Sequence, residues 1–148
     1  MLDIFFLGDW FFKINYKLGY RHVDIFPSHQ KFMGFSWTVQ GQKKWFVFSV
    51  FPFGLTSAPF VHTKIQLALI KHWQEQGVRI FTNLDNGQGQ EGAMPTALAA
   101  PNMVKGGIAA SGFIAHPEKC CWEPTQMGDL LGFSLNLSRV LLEHIVCL

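Results

Sequence analysis

One stretch constrains this chain more than any other. "TSAPFVHTKIQLALIKHWQEQG", Thr56 to Gly77, reads as a single helix set between β-rich runs. Thr56 or Ser57 can cap its start, Pro59 is tolerated in its first turn, and Gly77 stops it. Upstream, "DWFFKINY" suits a strand entering a core. "KFMGFSWTV" and "KKWFVFSVF" flank "QGQ" as a hairpin over about residues 31 to 51. "FPFGLTSAP" breaks that hairpin with prolines and a glycine. Downstream, "VRIFTNL" reads as a buried strand. Asp85-Asn86-Gly87 then reads as a tight turn, because Asn and Gly accept the positive φ of short hairpin loops.

From Ala93 to Gly112 the Ala, Leu and Met content predicts a second helix. An interior Pro costs about 3 kcal/mol and a Gly about 1 kcal/mol, so Pro101 and Gly106-Gly107 predict that this helix is kinked or split. "GQGQEG" reads as a turn-rich loop without the lysine of a phosphate-binding loop. "GFIAHPEKCCW" and "DLLGFSLNLSRVLLEHIVCL" offer short strands around turns. The order is strand, hairpin, helix, strand, turn, helix, strand, hairpin. It predicts an α+β fold, an antiparallel sheet with helices segregated on one face. With no internal repeat and no linker, residues 1–148 are expected to form one domain.

A compact domain of this size buries roughly 68–70% of its surface. Composition supports that, with 49% hydrophobic and 15% charged residues. The 15 Phe and 5 Trp are an unusual load, crowded before residue 61, and part of it is expected to face other polypeptide or nucleic acid. A net charge of +2 does not by itself announce a nucleic-acid binder. The basic residues nevertheless gather early, at Lys13, Lys17, Arg21, Lys31, Lys43 and Lys44. Cys120, Cys121 and Cys147 lack zinc-site spacing and read as free thiols in a reducing compartment. "MLDIFFLGDWFF" carries Asp3 and Asp9 without a basic leader, so no targeting segment, no membrane partner and an intracellular location are expected. His22, His29, His62, His72, His116 and His144 show no metal-ligand spacing and are read as structural or surface residues.

Four segments, in order, resemble the palm of a reverse transcriptase, an RNA-directed DNA polymerase. The likeness is to retrotransposons of the tyrosine-recombinase (DIRS-like) group and their gypsy-like relatives. "GDWFFKINYKLGYRHVDIFPSHQKFMGFSW" resembles the first polymerase motif, an Asp followed by a run ending in "SGYHHV" or similar. "VFPFGLTSAPFVHTK" is similar to the second, whose "PFGL-S-AP" core is specific. "FTNLDNG" sits where that family has its Tyr-x-Asp-Asp hairpin. "SGFIAHPEKCCWEPTQMGDLLGFSL" resembles the fourth and fifth. The likeness runs from about Gly8 to Leu137, with most of the fingers and the thumb outside it.

The resemblance implies a polymerase palm-like sheet and nucleotidyl transfer by two Mg²⁺ (or Mn²⁺) ions about 3.5–4 Å apart, held by hard carboxylate oxygens. It places the three acids of that site at Asn15, Asp85 and Asn86. Asp85 is then a metal ligand by ancestry, and its two companions are amides. Two lost charges, at about 1.4 kcal/mol per tenfold in rate, imply a cost on the order of a thousandfold or more. The resemblance also places Tyr20 beneath the sugar, Phe53 and Gly54 against the incoming nucleotide, and Lys119 near the triphosphate. The implied partners are an RNA or DNA primer–template and deoxynucleoside triphosphates. A non-catalytic nucleic-acid-binding module and a remnant with no selected role stand as alternatives. Oligomeric state is left open.

Overall fold

The computed structural model describes residues 6–138 and the strand at 141–144. Its elements in chain order are β1 (Trp10–Asn15), a 3-10 turn (Gly19–His22), α1 (Pro27–Gln30), β2 (Gly34–Val39), β3 (Gln42–Val47), α2 (Ala58–Glu75), β4 (Arg79–Asn83), β5 (Asn86–Glu91), α3 (Met94–Ala110), β6 (Cys121–Thr125), β7 (Met127–Leu130), β8 (Phe133–Asn136) and β9 (Leu141–His144). The central sheet runs β4-β5-β1-β6, all neighbours antiparallel.

Alternation along β1 sorts the chain into two layers, since successive side chains point to opposite faces. Phe12 and Ile14 face the helices and pack with Ile80, Ile70 and Trp73 of α2, and Ala100, Val104 and Ile108 of α3. Phe11 faces the other way and packs with Leu130, Leu135 and Leu137 around the β7-β8-β9 sheet. Both long helices therefore lie on one face, as the order of elements predicts. The segment before β1 is tied to β4 by Asp9, which is 3% exposed and accepts two 2.9 Å hydrogen bonds from the Arg79 guanidinium. Among the described residues no helix is long and apolar enough to cross a membrane.

The expected loop at "GQGQEG" is instead β5, paired with both β1 and β4. Gly and Gln have little strand propensity, so composition hid it. The reason for the glycines is close approach. A Cβ on Gly87 would stand 2.6 Å from the Ile14 side chain, and one on Gly89 would overlap the Phe12 ring. The glycines fill the helix-facing positions, and Gln88 and Gln90 are buried on the opposite face. The expected turn also moves. Asn83 pairs directly with Asn86, so the tight turn is Leu84-Asp85, with Leu84 at φ 52°.

α2 starts and stops near its expected bounds, with Gly77 at φ 87° just past its end. Ser57 occupies the cap position but makes no side-chain capping bond. The hairpin is β2–β3, turning at Gln40 and Gly41, both at positive φ.

α3 corrects the expectation of a broken helix. It runs unbroken through Pro101, which is buried, and tertiary packing overrides the local penalty. Gly107 is a contact residue, since a Cβ there would stand 2.6 Å from Trp73 Nε1, whereas Gly106 faces open space. The two adjacent glycines should therefore respond oppositely to alanine. Gly106→Ala is expected to stabilise by about 0.4–1 kcal/mol, and Gly107→Ala to destabilise by about 1–3 kcal/mol. Urea denaturation of both variants measures this, and equal shifts would contradict the packing.

Candidate functional site

The end of β1 and the start of β5 bring two distant residues face to face. Asn15 and Asn86 are register partners, and Asn15 Nδ2 donates a 2.9 Å hydrogen bond to Asn86 Oδ1. Asp85 stands beside them on the turn, its carbonyl accepting the Tyr16 N–H at 2.8 Å. Asn15 is pinned from the other side as well. Its carbonyl accepts the His116 N–H at 2.7 Å, and its N–H donates to Cys120 Sγ at 3.2 Å. Burial pushes the Cys120 thiol pKa up, which keeps it protonated against that backbone. Cys120 and Cys121 are free, and Cys147 lies outside the described residues.

These elements enclose an open pocket of about 440 Å³ lined by Asn15, Asp85, Asn86, Phe53, His116 and Lys119, with residues 16–18 completing the wall. Lys17 and Lys119 bring two cations to it and Asp85 one anion. Tyr20 stands behind Phe53, ring centroids 5.6 Å apart in an edge-on contact. Desolvation, and then the nearby Asp85 charge, raise the Tyr20 hydroxyl pKa above its ordinary value. Gly54, at φ 89°, lines a neighbouring cavity of about 670 Å³ with Arg21, Phe32 and Phe51, and Phe53 is shared between the two. The structure thus gathers Asn15, Asp85, Asn86, Phe53 and Lys119 at one pocket, with Tyr20 and Gly54 adjoining it.

Two divalent ions do not fit this donor set. Asn86 Oδ1 is occupied by the Asn15 amide, and Asp85 Oδ1 is buried 3.3 Å from His62 Nε2. Among the described residues no three His, Cys, Asp or Glu side chains cluster as metal ligands. A pocket with more cationic than anionic side chains suits phosphate oxygens better than bare Mg²⁺.

Solved structures of foamy viral protease-reverse transcriptase share this arrangement of elements. One, in complex with an RNA/DNA hybrid, superposes at TM-score 0.72 with 19% identity, covering 86% of this chain and 16% of that one. Another, in complex with double-stranded DNA, superposes at TM-score 0.75 with 18% identity, covering 90% of this chain and 22% of that one. The fold is reverse-transcriptase-like. No protein-family model matches the sequence, and no curated protein matches it.

Within this reverse-transcriptase-like fold, two histidines without metal-ligand spacing in the sequence matter at the site. His116 lines the pocket, and His62 is fully buried against Asp85. A signal for His62 existed in its spacing. His62, Gln66, Ile70 and Trp73 recur at helical intervals and form the buried face of α2. No comparable signal marked His116, which reaches the pocket only because its segment pairs with the end of β1.

Proposed function

We propose that this chain is a reverse-transcriptase-like domain of retroelement origin, of the DIRS-like or gypsy-like kind, whose two-metal nucleotidyl transfer is lost. The observation that carries the reading is the Asn15–Asn86 hydrogen bond. Two uncharged amides satisfy each other by a hydrogen bond where the resemblance implies two carboxylates. What persists is the frame of a nucleotide site: Tyr20 and Phe53 in contact, and Lys17 and Lys119 facing the pocket. Tyr20 is assigned to the sugar, Phe53 and Gly54 to the base and template side, and Lys119 to the triphosphate. The partner is a primer–template, in keeping with the nucleic-acid complexes of the structural neighbours.

Primer extension with Mg²⁺ or Mn²⁺ tests the reading. The native chain is expected to extend at background level. Mg²⁺ is expected to bind no better than about millimolar without nucleotide, because one carboxylate cannot concentrate a strongly hydrated dication. Calorimetry showing two tightly bound ions would refute the loss.

A specific observation favours a second reading, a nucleic-acid-binding module without chemistry. Trp37 and Trp45 on the β2–β3 hairpin are 68% and 75% exposed, and Lys43 lies 4.9 Å over the Trp45 ring. Exposed aromatics beside lysines are the elements of base stacking and phosphate attraction. Salt-dependent retention of an RNA/DNA hybrid by the native chain, without extension, would decide for it.

A further inference from the structure

We infer that His62 is a positioning residue that draws Asp85 inward, so that the pocket's single carboxylate offers it only one oxygen. The contact is independent of what the pocket binds. Its consequence for cations rests on the reading of this pocket as a degenerate metal and nucleotide site.

His62 occupies the buried face of α2 and has no exposed surface. Its imidazole is caged by rings on several sides, with centroids of Tyr20, Phe113 and Tyr16 at 5.1, 5.7 and 6.2 Å. Within that cage its Nε2 stands 3.3 Å from Asp85 Oδ1. The separation is within ion-pair range, although the alignment falls short of a hydrogen bond. Neither imidazole nitrogen, nor Asp85 Oδ1, has a hydrogen-bond partner among the described residues.

Buried polar atoms without partners are unfavourable, so these two are held to each other by the lack of an alternative. Gly19 closes the remaining side. A Cβ there would stand 2.6 Å from His62 Cε1 and would overlap Asp85 Oδ1. Swinging Oδ1 into the pocket would strand the imidazole among aromatic rings. Asp85, one-third exposed, therefore meets the pocket with its other oxygen alone. A carboxylate held in this way cannot chelate or bridge cations through both oxygens.

The contact is tested first by ¹⁵N NMR of the histidine rings in the native chain and in Asp85→Asn, a near-isosteric change at a part-exposed turn. The His62 Nε2 resonance should move while those of His29 and His72 stay. An unmoved His62 resonance would overturn the inference. The consequence is tested with Mn²⁺ alone, by water-proton relaxation. His62→Phe keeps a ring in the cage and frees Oδ1, so Mn²⁺ affinity should rise about tenfold, a gain that His62→Phe/Asp85→Asn should lose. A folded His62→Phe variant with a gain below about threefold would show that His62 does not withhold the carboxylate. If His62→Phe does not fold, the resonance measurement alone decides. Gel retardation of the native chain on an RNA/DNA hybrid, run separately, reports on the nucleic-acid reading. Its failure would leave the His62 contact standing.

Discussion

If the proposed reading holds, placing acids at both amides, Asn15→Asp with Asn86→Asp, is expected to raise primer extension over the native chain by roughly a thousandfold or more. The two positions are register partners whose side chains already meet at 2.9 Å, so the backbone holds them where a shared cation would need them. Two carboxylates about 4 Å apart repel by about 4 kcal/mol at an effective dielectric of 20, and only a cation between them relieves that. The revertant should therefore melt lower than the native chain in chelator. It should regain stability with Mg²⁺ or Mn²⁺, and the native melting temperature should ignore either ion. Extension should require the metal. A revertant that gains stability from Mn²⁺ yet extends nothing, at high enzyme and primer concentrations, would place the defect outside the two amides. The inward hold on Asp85 would then be the next suspect, and adding His62→Phe would test it.

The largest loss of stability is expected at Trp73. It is 1% exposed, lies in the main core cluster, and meets α3 at Gly107. Trp73→Ala removes the largest fully buried side chain and leaves a cavity between α2, α3 and the sheet, costing about 3–5 kcal/mol. Against a total of about 5–15 kcal/mol for a domain, this can leave the variant partly unfolded at room temperature. Urea denaturation should show a large drop in midpoint. A loss below about 1.5 kcal/mol would mean that the two helices do not share this contact.

The unbroken α3 bears on the history of the chain. By sequence Pro101 and Gly106-Gly107 predict a kinked or split helix, which would suit a remnant losing its fold. In the structure Pro101 is buried in the helix, and Gly107 makes room for the Trp73 ring. Two of the three residues belong to the packing, so the helix gives little support to a remnant without a role. Under the proposed reading, the amides at Asn15 and Asn86 are the departures that touch the site.

Local chemistry determined what could be read without a structure. Breakers at both ends of α2, the β-branched and aromatic content of the hairpin, and the run in β1 are signals carried by neighbours in sequence. They sufficed for the α+β order and for helices on one face. The spacing of recognisable motifs pointed to Asn15, Asp85 and Asn86 across about 70 residues; in the structure Asn15 pairs with Asn86, and the Asp85 carbonyl accepts the N–H of the neighbouring Tyr16. What tertiary structure alone decided has its cause in residues far apart along the chain. β5 is a strand because Phe12 and Ile14 of β1 lie over its glycines, and no propensity of Gly or Gln reports that. The tight turn sits at Leu84-Asp85 because pairing Asn83 with Asn86 leaves those two residues to close it, at the cost of a left-handed Leu84. His62 meets Asp85 because α2 packs its buried face behind the β4–β5 turn, and Gly19 leaves space for both side chains there. Such contacts depend on where two surfaces meet, and a sequence lists the residues of each surface without stating the distance between them.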